Sequence, residues 1–395
     1  MNPQRPPAKG WCPGAHRPMP AGDGWLVRVR APLARLSLAQ AQGLCELALR
    51  LGDGGIELTR RANLQLRGVA PRHHARLVAA LCDLGLLDAD PAVEARPQVL
   101  VQPCWRPDDL SERLAGELAA RLGELPTLPA KFGFGVDAGA SPLLGLASAD
   151  VRIERAASGR LMVRADGADL GMPVAPDEAA EVALRLAAWF AVAAGASGAR
   201  RMREYLRVHL RARDAGAPFR GSEPVAPAAR TRTLRPGPCE LGPLYGAAFG
   251  LLPADALADL LHRTRARALR LTPFRGFIAE AGVWCESEVF LSRADEALLD
   301  VDACPGAPSC ASATVATRSL ARALAAGLRD VAPAQRPSLH VSGCSKGCAR
   351  SRPADLTLVG RDGGFDLVRD GCAWDAPSST GLSDPSLREL RRSPT

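Results

Sequence analysis

Two pairs of cysteines in the last quarter of the chain have a spacing suited to metal chemistry. They are Cys304 and Cys310, separated by five residues, and Cys344 and Cys348, separated by three. Four thiolates in two close pairs can hold a cubane iron–sulfur cluster, which takes one cysteine per iron. Each pair lies in a segment of small residues, CPGAPSC or SGCSKGC, where backbone N–H groups can approach sulfur. A zinc site, which favours C-x2-C spacing, and buried thiols without metal are the alternatives.

The remaining cysteines do not show such pairing. The chain has eleven cysteines, an odd number, and no export signal, which argues against a disulfide framework. Cys104 is ambiguous, and Cys12, near His16 in the segment GWCPGAHRPMP, is a candidate ligand or contact residue, with plain burial as the alternative. The others are interpreted as small buried side chains: Cys45, Cys82, Cys239, Cys285 and Cys372.

Composition limits the classes of protein to which this chain can belong. Its 395 residues are 47% hydrophobic, which excludes general disorder and suggests two or three domains. The net charge is +8, but aromatic residues make up only 4%, too few for the stacking surfaces of single-strand binders. We therefore expect an anionic small molecule or an acidic redox partner, and neither nucleic acid nor a membrane. No run of about 18 apolar residues occurs, so a cytoplasmic location is expected.

The elements that position these residues begin near the N-terminus. Residues 25–31 alternate apolar and basic side chains, which predicts a half-buried strand. Ser37 is placed to cap a helix that Gly52 ends, and the segments IELT and NLQLRGV predict two further strands. A second helix carries the apolar residues of 77–84.

A similar order returns later in the chain. Residues 253–265 predict a helix, and ALRLT and FRGFIAEAG predict strands. In both copies a threonine, Thr59 or Thr272, is followed by an arginine, Arg61 or Arg275. The segments IELTRRANLQL and LRLTPFRGFI are therefore interpreted as two copies of one feature.

A second repeat accompanies the first. Residues 108–125 predict a helix, 131–137 a strand, and VRIERAASGRLMVRADG a hairpin that turns at Ser158-Gly159. Residues 312–330 then predict a helix, LHVSG a strand, and DLTLVGRDGGFDLV a hairpin that turns at Asp362-Gly363. The first copy, KFGFGVDAGAS, has no cysteine where the second has SGCSKGC.

The chain is therefore expected to be an internally duplicated α+β protein, although α+β proteins can show such order by chance. A Pro-, Gly- and Arg-rich stretch from about residue 215 to 238 is the predicted joint between the halves. The expected domain limits are two pairs of half-domains followed by a short tail: 1–85, 86–225, 226–290, 291–385 and 386–395.

These residues resemble the sulfite/nitrite reductase superfamily over about residues 10–370. LTRRANLQL is similar to its Thr-x-Arg motif, and LPAKFGFGVD to its Leu-Pro-Arg-Lys-Phe strand. The resemblance implies a pseudo-two-fold fold with two ferredoxin-like halves and two halves of an iron–sulfur domain. It also implies that Cys304, Cys310, Cys344 and Cys348 hold a [4Fe-4S] cluster, the last of which bridges to sirohaem iron in reductases.

Departures from the reductase pattern favour one branch of the superfamily. Gly133 stands where a reductase usually has a second basic residue, Glu57 stands at a position usually given to arginine, and SGCSKGC replaces a Gly-Cys-Pro-Asn-x-Cys type sequence. The segments KGWCPGAHRPMPAGDGWLVRVR and HVSGCSKGCA resemble an oxygenase branch. Its activity is hydroxylation of the tetrapyrrole precorrin-3A at C20 with O2, with formation of a γ-lactone, in aerobic cobalamin biosynthesis.

This resemblance implies a set of cofactors. A fully ligated cubane would deliver electrons, and a mononuclear non-haem iron, usually held by histidine and carboxylate ligands, would activate O2. The six histidines show no His-x-Asp/Glu pair, so its ligands are not assigned. Because no Gly-x-Gly-x-x-Gly follows a strand, electrons from NAD(P)H are expected to arrive through a separate reductase or ferredoxin.

The resemblance also suggests the substrate-binding residues. Precorrin-3A carries acetate and propionate groups, and a guanidinium binds a carboxylate bidentately. For any single arginine a solvated surface position is the alternative. The candidates are Arg28, Arg30, Arg60, Arg61 and Arg275 on the repeated strands, with the lysines Lys131 and Lys346.

Two other functions remain open from the sequence. One is a sirohaem-dependent nitrite or sulfite reductase. The other is a non-catalytic cluster or zinc protein that binds an acidic partner. The arginine-rich segment 199–213 favours the latter, although a solvated helix face is the simpler interpretation.

Overall fold

The computed structural model describes residue 6 and residues 12–209, 223–229 and 234–383. The helices in these residues are α1 Leu38–Leu51, α2 His74–Asp83, α3 Pro91–Glu94, α4 Leu110–Arg121, α5 Ala179–Ser197, α6 Met202–His209, α7 Ala254–Arg263 and α8 Arg318–Ala326. The strands of the N-terminal half are β1 Met19–Ala21, β2 Gly24–Val29, β3 Arg35–Ser37, β4 Gly55–Leu58, β5 Leu64–Val69, β6 Gln98–Val101, β7 Gly133–Asp137, β8 Val151–Arg155, β9 Leu161–Ala165 and β10 Met172–Pro173. Those of the C-terminal half are β11 Leu244–Gly246, β12 Leu251–Pro253, β13 Ala268–Leu271, β14 Gly276–Glu280, β15 Val301–Ala303, β16 Leu339–Ser342, β17 Ala354–Arg361, β18 Gly364–Gly371 and β19 Ser379–Leu382.

The first and third sheets each contain a strand from the other half of the chain. The first sheet has the order β1-β2-β5-β4-β12, and the third has the order β11-β14-β13-β3. Thus β12 pairs antiparallel with β4, and β3 pairs antiparallel with β13. Side chains from both sheets and from α1 and α7 form one continuous core.

The second and fourth sheets have the same topology. Their orders are β10-β9-β8-β7-β6 and β15-β16-β17-β18-β19. In each, three parallel strands are followed by two antiparallel ones. The internal duplication expected from the sequence, and with it the α+β fold class, is therefore confirmed.

Local signals explain why several elements form where the sequence predicts them. The Ser37 side chain accepts a hydrogen bond from the backbone of Gln40, whose side chain bonds back to Ser37, so a complete capping box begins α1. Asp362 and Gly363 both have positive φ, 49° and 83°, as a two-residue hairpin turn requires. Hairpin β17–β18 therefore turns where expected.

Two predicted elements differ from the structure. Helix α8 begins at Arg318 rather than at residue 312, because 312–317 continue the cysteine segment. There the Thr317 hydroxyl donates to the Cys304 carbonyl at 2.5 Å. The predicted joint is also partly structured, since Val225 pairs with Gly171 beside the second sheet. Residues 210–222 of the joint and of the arginine-rich segment, residues 230–233, and the predicted tail lie outside the described residues.

Helix α5 is long and apolar enough to cross a membrane by length and composition alone. Half of its apolar window is buried, and it packs against β8 and β9. Its buried side chains, which include Leu186 and Phe190, belong to the core of the second sheet. In this structure α5 is a core helix.

Candidate functional site

The two cysteine segments meet at the carboxyl ends of β15 and β16. These strands are parallel neighbours, with Ala303 opposite Val341, so the residues that follow them reach the same edge of the fourth sheet. The Gly343 N–H donates to the Cys304 sulfur at 3.1 Å. We call the segments 304–310 and 344–348 the cysteine loops.

Three of the four thiols are close enough to influence one another. Burial raises the pKa of Cys304, N–H groups of Gly343 and Gly306 oppose that rise, and the neighbouring Cys310 and Cys344 thiols add to it. Cys304 is buried, whereas Cys348 is exposed on the second cysteine loop. The sulfur atoms therefore range from the protein interior to the surface.

The donor set of the cysteine loops, four thiols from two neighbouring segments, has the chemistry that a cubane requires. Within the described residues, no group of three or more His, Cys, Asp or Glu side chains is arranged to hold one metal ion. Four cysteines around zinc would all lie about 2.3 Å from one atom. In a cubane each cysteine binds a different iron, which sets the sulfurs farther apart. An N–H group directed at Cys304 also suits a cluster-bound thiolate.

The histidines of the described residues do not fit the mononuclear iron site that the resemblance implies. His16 and His74 bond to the backbone carbonyls of Asp88 and Ala15, both at 2.8 Å. His340 is fully buried, and neither ring nitrogen has a hydrogen-bond partner. Among the described residues these histidines form no set with carboxylates that would hold an iron ion.

A polar row crosses one face of the first sheet. Arg28 lies opposite Gln65, and Gln65 lies opposite Glu57. Arg28 donates to the Gln65 carbonyl oxygen at 2.7 Å and 3.2 Å, and the Gln65 amide donates to Glu57 at 3.4 Å. Glu57, at the position usually given to arginine, is itself paired with Arg318 and with Arg67.

This row reaches the first cysteine loop. Arg67 forms a bidentate ion pair with Asp23, at 2.8 Å and 3.1 Å, and donates to the Ser309 carbonyl at 2.7 Å. The Gly22 N–H donates to the same carbonyl at 3.2 Å. The polar face of the first sheet therefore borders the loop that carries Cys304 and Cys310.

Three predicted arginines gather around Cys12 at this face. Arg28 bonds to the Cys12 thiol, which also lies within electrostatic range of Arg30 and Arg61. Burial lowers the pKa of Arg28 and of Arg30, and it lowers that of Arg61 to about 10, with repulsion from Arg201 contributing. Partly desolvated guanidiniums that repel one another favour a bound anion. We call Arg28, Arg30, Arg61 and Lys131 the cleft cations.

Lys131 joins this group through its backbone. The Arg61 guanidinium donates to the Lys131 carbonyl and, at 3.3 Å, to the Ser148 hydroxyl. Lys346 lies apart, on the second cysteine loop, where its ammonium donates to Ser312 at 2.8 Å. It thus links the two cysteine segments.

Arg60 and Arg275 are placed elsewhere. Both pair with Asp302, which also holds Arg350. They line a cavity of about 1090 Å³, in which none of the cleft cations takes part. Substrate contact by Arg60 and Arg275 remains a prediction, and it concerns this cavity, which meets the cleft cations at Ser148.

The two threonine turns explain this separation. The hydroxyls of Thr59 and Thr272 each accept N–H groups two and four residues ahead, so the turns have the same construction. Ala62 and Arg275 occupy the same place, with φ of 53° and 55°. The arginines that the repeat brought together in sequence, Arg61 and Arg275, therefore differ by one position.

Sequence reasoning missed several residues of these sites. Asp302 lies on β15 two residues before Cys304, a period-two spacing that could have identified it. Gln65 and Arg318 carried no such signal, because their importance depends on pairing across strands and between domains.

Comparison with known proteins agrees with this architecture. Residues 17–84 match the family described as the Nitrite/Sulfite reductase ferredoxin-like half domain. A protein of Sinorhizobium sp. named Precorrin-3B synthase is 31% identical over 397 aligned residues, which cover 94% of this chain and 85% of the relative. The NirA protein of Mycobacterium tuberculosis has the same fold, with a TM-score of 0.67 and 16% identity over 93% of this chain and 79% of its own.

Proposed function

The chain belongs to the precorrin-3B synthase family, and on this basis we propose that it hydroxylates precorrin-3A at C20 in aerobic cobalamin biosynthesis. One oxygen atom of O2 enters the substrate, and a γ-lactone forms from the ring A acetate. The other oxygen atom leaves as water, with two electrons and two protons from an external donor. The observation that carries the proposal is the contact of the arginine-bearing face of the first sheet with Ser309 of the first cysteine loop.

The proposed cofactor is a [4Fe-4S] cluster held by Cys304, Cys310, Cys344 and Cys348. When bound, it supplies electrons to the neighbouring cleft. The buried position of Cys304 and the N–H group on its sulfur support this assignment. The described residues do not fit a mononuclear iron site, so no step is assigned to one. NAD(P)H acting through a separate reductase or ferredoxin is the proposed electron source.

The cleft cations would bind the acidic side chains of the tetrapyrrole. Arg28 is already oriented by Gln65, and Arg61 by the Lys131 carbonyl and Ser148, so little side-chain entropy is lost when a carboxylate binds. Arg30 has a buried Nε without a hydrogen-bond partner, which a ligand oxygen would satisfy. Guanidiniums remain charged at physiological pH, which maintains binding of the carboxylates.

Glu57 gives the cleft its specificity in this proposal. It places a carboxylate, paired with Arg318 and Arg67, at a position where reductases usually have an arginine. Together with Gly133, it removes positive charge that a small inorganic anion would need. A large macrocycle with several carboxylates can instead bind through the separated cleft cations.

Anaerobic reconstitution followed by turnover tests this function. Purified protein would be loaded with iron and sulfide and given precorrin-3A, O2 and a reductant. The expected product has gained one oxygen atom, with 18O incorporated from 18O2. Sirohaem absorption bands together with nitrite or sulfite reduction would instead support the reductase alternative, and zinc without sulfide would exclude both enzymes. Cytoplasmic location and the domain limits given above belong to the same proposal.

A further inference from the structure

The cavity that contains Arg60 and Arg275 adjoins the cleft cations without including them, since Arg61 donates to Ser148, which lines the cavity. It has a volume of about 1090 Å³ and lies between β11, the turn before β14, and the loops 145–149 and 350–352. None of the four paired cysteines lines it, and Arg28, Arg61 and Lys131 are likewise outside its described lining. We call it the arginine cavity.

Part of its wall is the pseudo-symmetric counterpart of the cleft. Counted from the two threonine turns, Leu244 and Gly246 on β11 take the places of Arg28 on β2 and of Arg30 just after it. Phe274 likewise takes the place of Arg61. This wall is therefore apolar, and at Gly246, where the first half has a long side chain, Leu291, Leu299 and Pro236 pack close to the backbone.

Arginine side chains from other elements give the cavity a positive charge. Nine arginines and four acidic residues line it. Asp302 forms ion pairs with three of these arginines. Asp166 forms ion pairs with two, Arg152 at 2.7 Å and Arg203 at 3.0 Å. Burial lowers the pKa of Arg275, Asp302 opposes the shift, and repulsion from Arg60 and Arg350 adds to it. The carboxylates thus neutralise only part of the charge.

Several of the guanidiniums are fixed in position before any ligand arrives. Arg152 donates to the carbonyls of Leu144 and Ala147, at 3.0 Å and 2.6 Å. Arg203 and Arg60 retain exposed side-chain fractions of 66% and 43% beside their ion pairs. Arg207, one turn after Arg203 on α6, is also exposed. Fixed and accessible guanidiniums together form a ready receptor for carboxylates.

We propose that the arginine cavity is a second binding site for a carboxylated tetrapyrrole. The ligand class rests on the proposed function, and the site rests on the cavity. Ligand pockets in proteins usually measure about 300–1,000 Å³, so this volume suits a macrocycle rather than a small acid. Apolar side chains, among them Leu146, Leu244 and Phe274, line the cavity together with the arginines. A ring with acidic groups along its rim has the complementary pattern.

Binding stoichiometry tests the proposal without turnover. Uroporphyrin III, an air-stable polycarboxylated porphyrin, would be titrated into the cluster-loaded protein and followed by calorimetry and fluorescence. We expect two equivalents for the unchanged protein and one for the double variant Arg203→Glu, Arg207→Glu. The double variant Arg185→Glu, Arg293→Glu, at exposed positions outside the cavity, is the charge-matched control and should retain two.

A second variant fills part of the cavity without changing its charge, so it tests the contribution of the cavity's shape separately. Leu146→Trp fills space at a side chain that is 66% exposed and changes no charge, so it should weaken the second site at least about tenfold. Two equivalents in both variants, or one equivalent in the unchanged protein, would overturn the proposal. Equal displacement from both sites by tripolyphosphate would also overturn it, because charge alone would then explain binding. Loss of turnover with two sites retained would contradict only the proposed function.

Discussion

Arg67 and Ser309 connect the first sheet to the first cysteine loop through a 2.7 Å hydrogen bond. Arg67 is almost fully buried and also serves Asp23 and Glu57. One side chain therefore fixes the distance between the proposed substrate face and the proposed cluster.

Replacing Arg67 with Met should destabilise the protein and loosen this connection. Removing one partner of a buried ion pair costs about 3–5 kcal/mol. Here the half-buried Asp23 loses its cation, and Glu57 keeps only Arg318. The measurement is urea unfolding, with the rate of cluster loss in air as a second readout. Arg293→Ala, at a pair that is exposed on both sides, should cost less than about 0.5 kcal/mol. Equal stability of the two variants would contradict the role of Arg67.

Cys344→Ser should abolish the cluster and weaken the C-terminal half. A metal site that forms only in the folded state contributes free energy to folding, so its loss lowers stability. Iron and sulfide analysis with circular dichroism would measure both effects. Cys82→Ala on α2, outside the cysteine loops, should keep full iron and sulfide. A Cys344→Ser protein with unchanged iron, sulfide and activity would show that the ligand assignment is wrong.

Arg61→Ala should weaken binding of precorrin-3A and leave the cluster intact. A hydrogen bond to a charged group is worth about 1.5–3 kcal/mol, which corresponds to roughly 10- to 150-fold in Kd. Equilibrium binding under anaerobic conditions measures the change, and the absorption of the cluster serves as the internal control. Unchanged affinity would remove Arg61 from the site.

His340 should make the protein sensitive to mild acid. Burial lowers the pKa of His340 to about 4, Asp302 opposes the shift, and Arg350 and Arg60 add to it. The unfolded state, with a pKa near 6.5, binds the proton more readily, so stability falls as pH drops from about 6.5 toward 4. Between pH 6.5 and 5 the loss should be about 1.5 kcal/mol.

The control for this pH effect is the variant His340→Leu, which replaces the titrating ring with an apolar side chain of similar bulk. Unfolding free energies of the two proteins would be measured at several pH values. Other titrating groups are common to both proteins and cancel in the difference. A difference that stays constant between pH 7 and 5 would show that His340 does not titrate in this way.

Local patterns made much of the fold predictable. The Ser37 cap, the Asp362-Gly363 turn and the repeated threonine turns each depend on residues close in sequence, and the structure contains all of them. The cysteine pairs were visible for the same reason. The start of α8 was misplaced because 312–317 has helix-compatible residues whose backbone is drawn into the cysteine segment through Thr317.

Relations between distant segments were not visible in the sequence. Arg60 and Arg61 are neighbours, yet the turn directs one toward Asp302 and the other toward Ser148. Strands β3 and β12 have three residues each, too few for a periodic signal, and their partners lie more than 190 positions away. Which arginines share a site therefore depends on pairings that only the folded chain reveals.

The exchange of β3 and β12 also has a consequence for synthesis. While the ribosome has delivered only the first 250 residues, β4 lacks its neighbour β12, and β3 has no β13 to pair with. An N-terminal fragment would expose an open sheet edge, which invites pairing with other chains. The nascent protein therefore closes its first sheet only after β12 emerges, shortly before the four cysteines are translated. The polar face of the first sheet and the cysteine loops become available in that order.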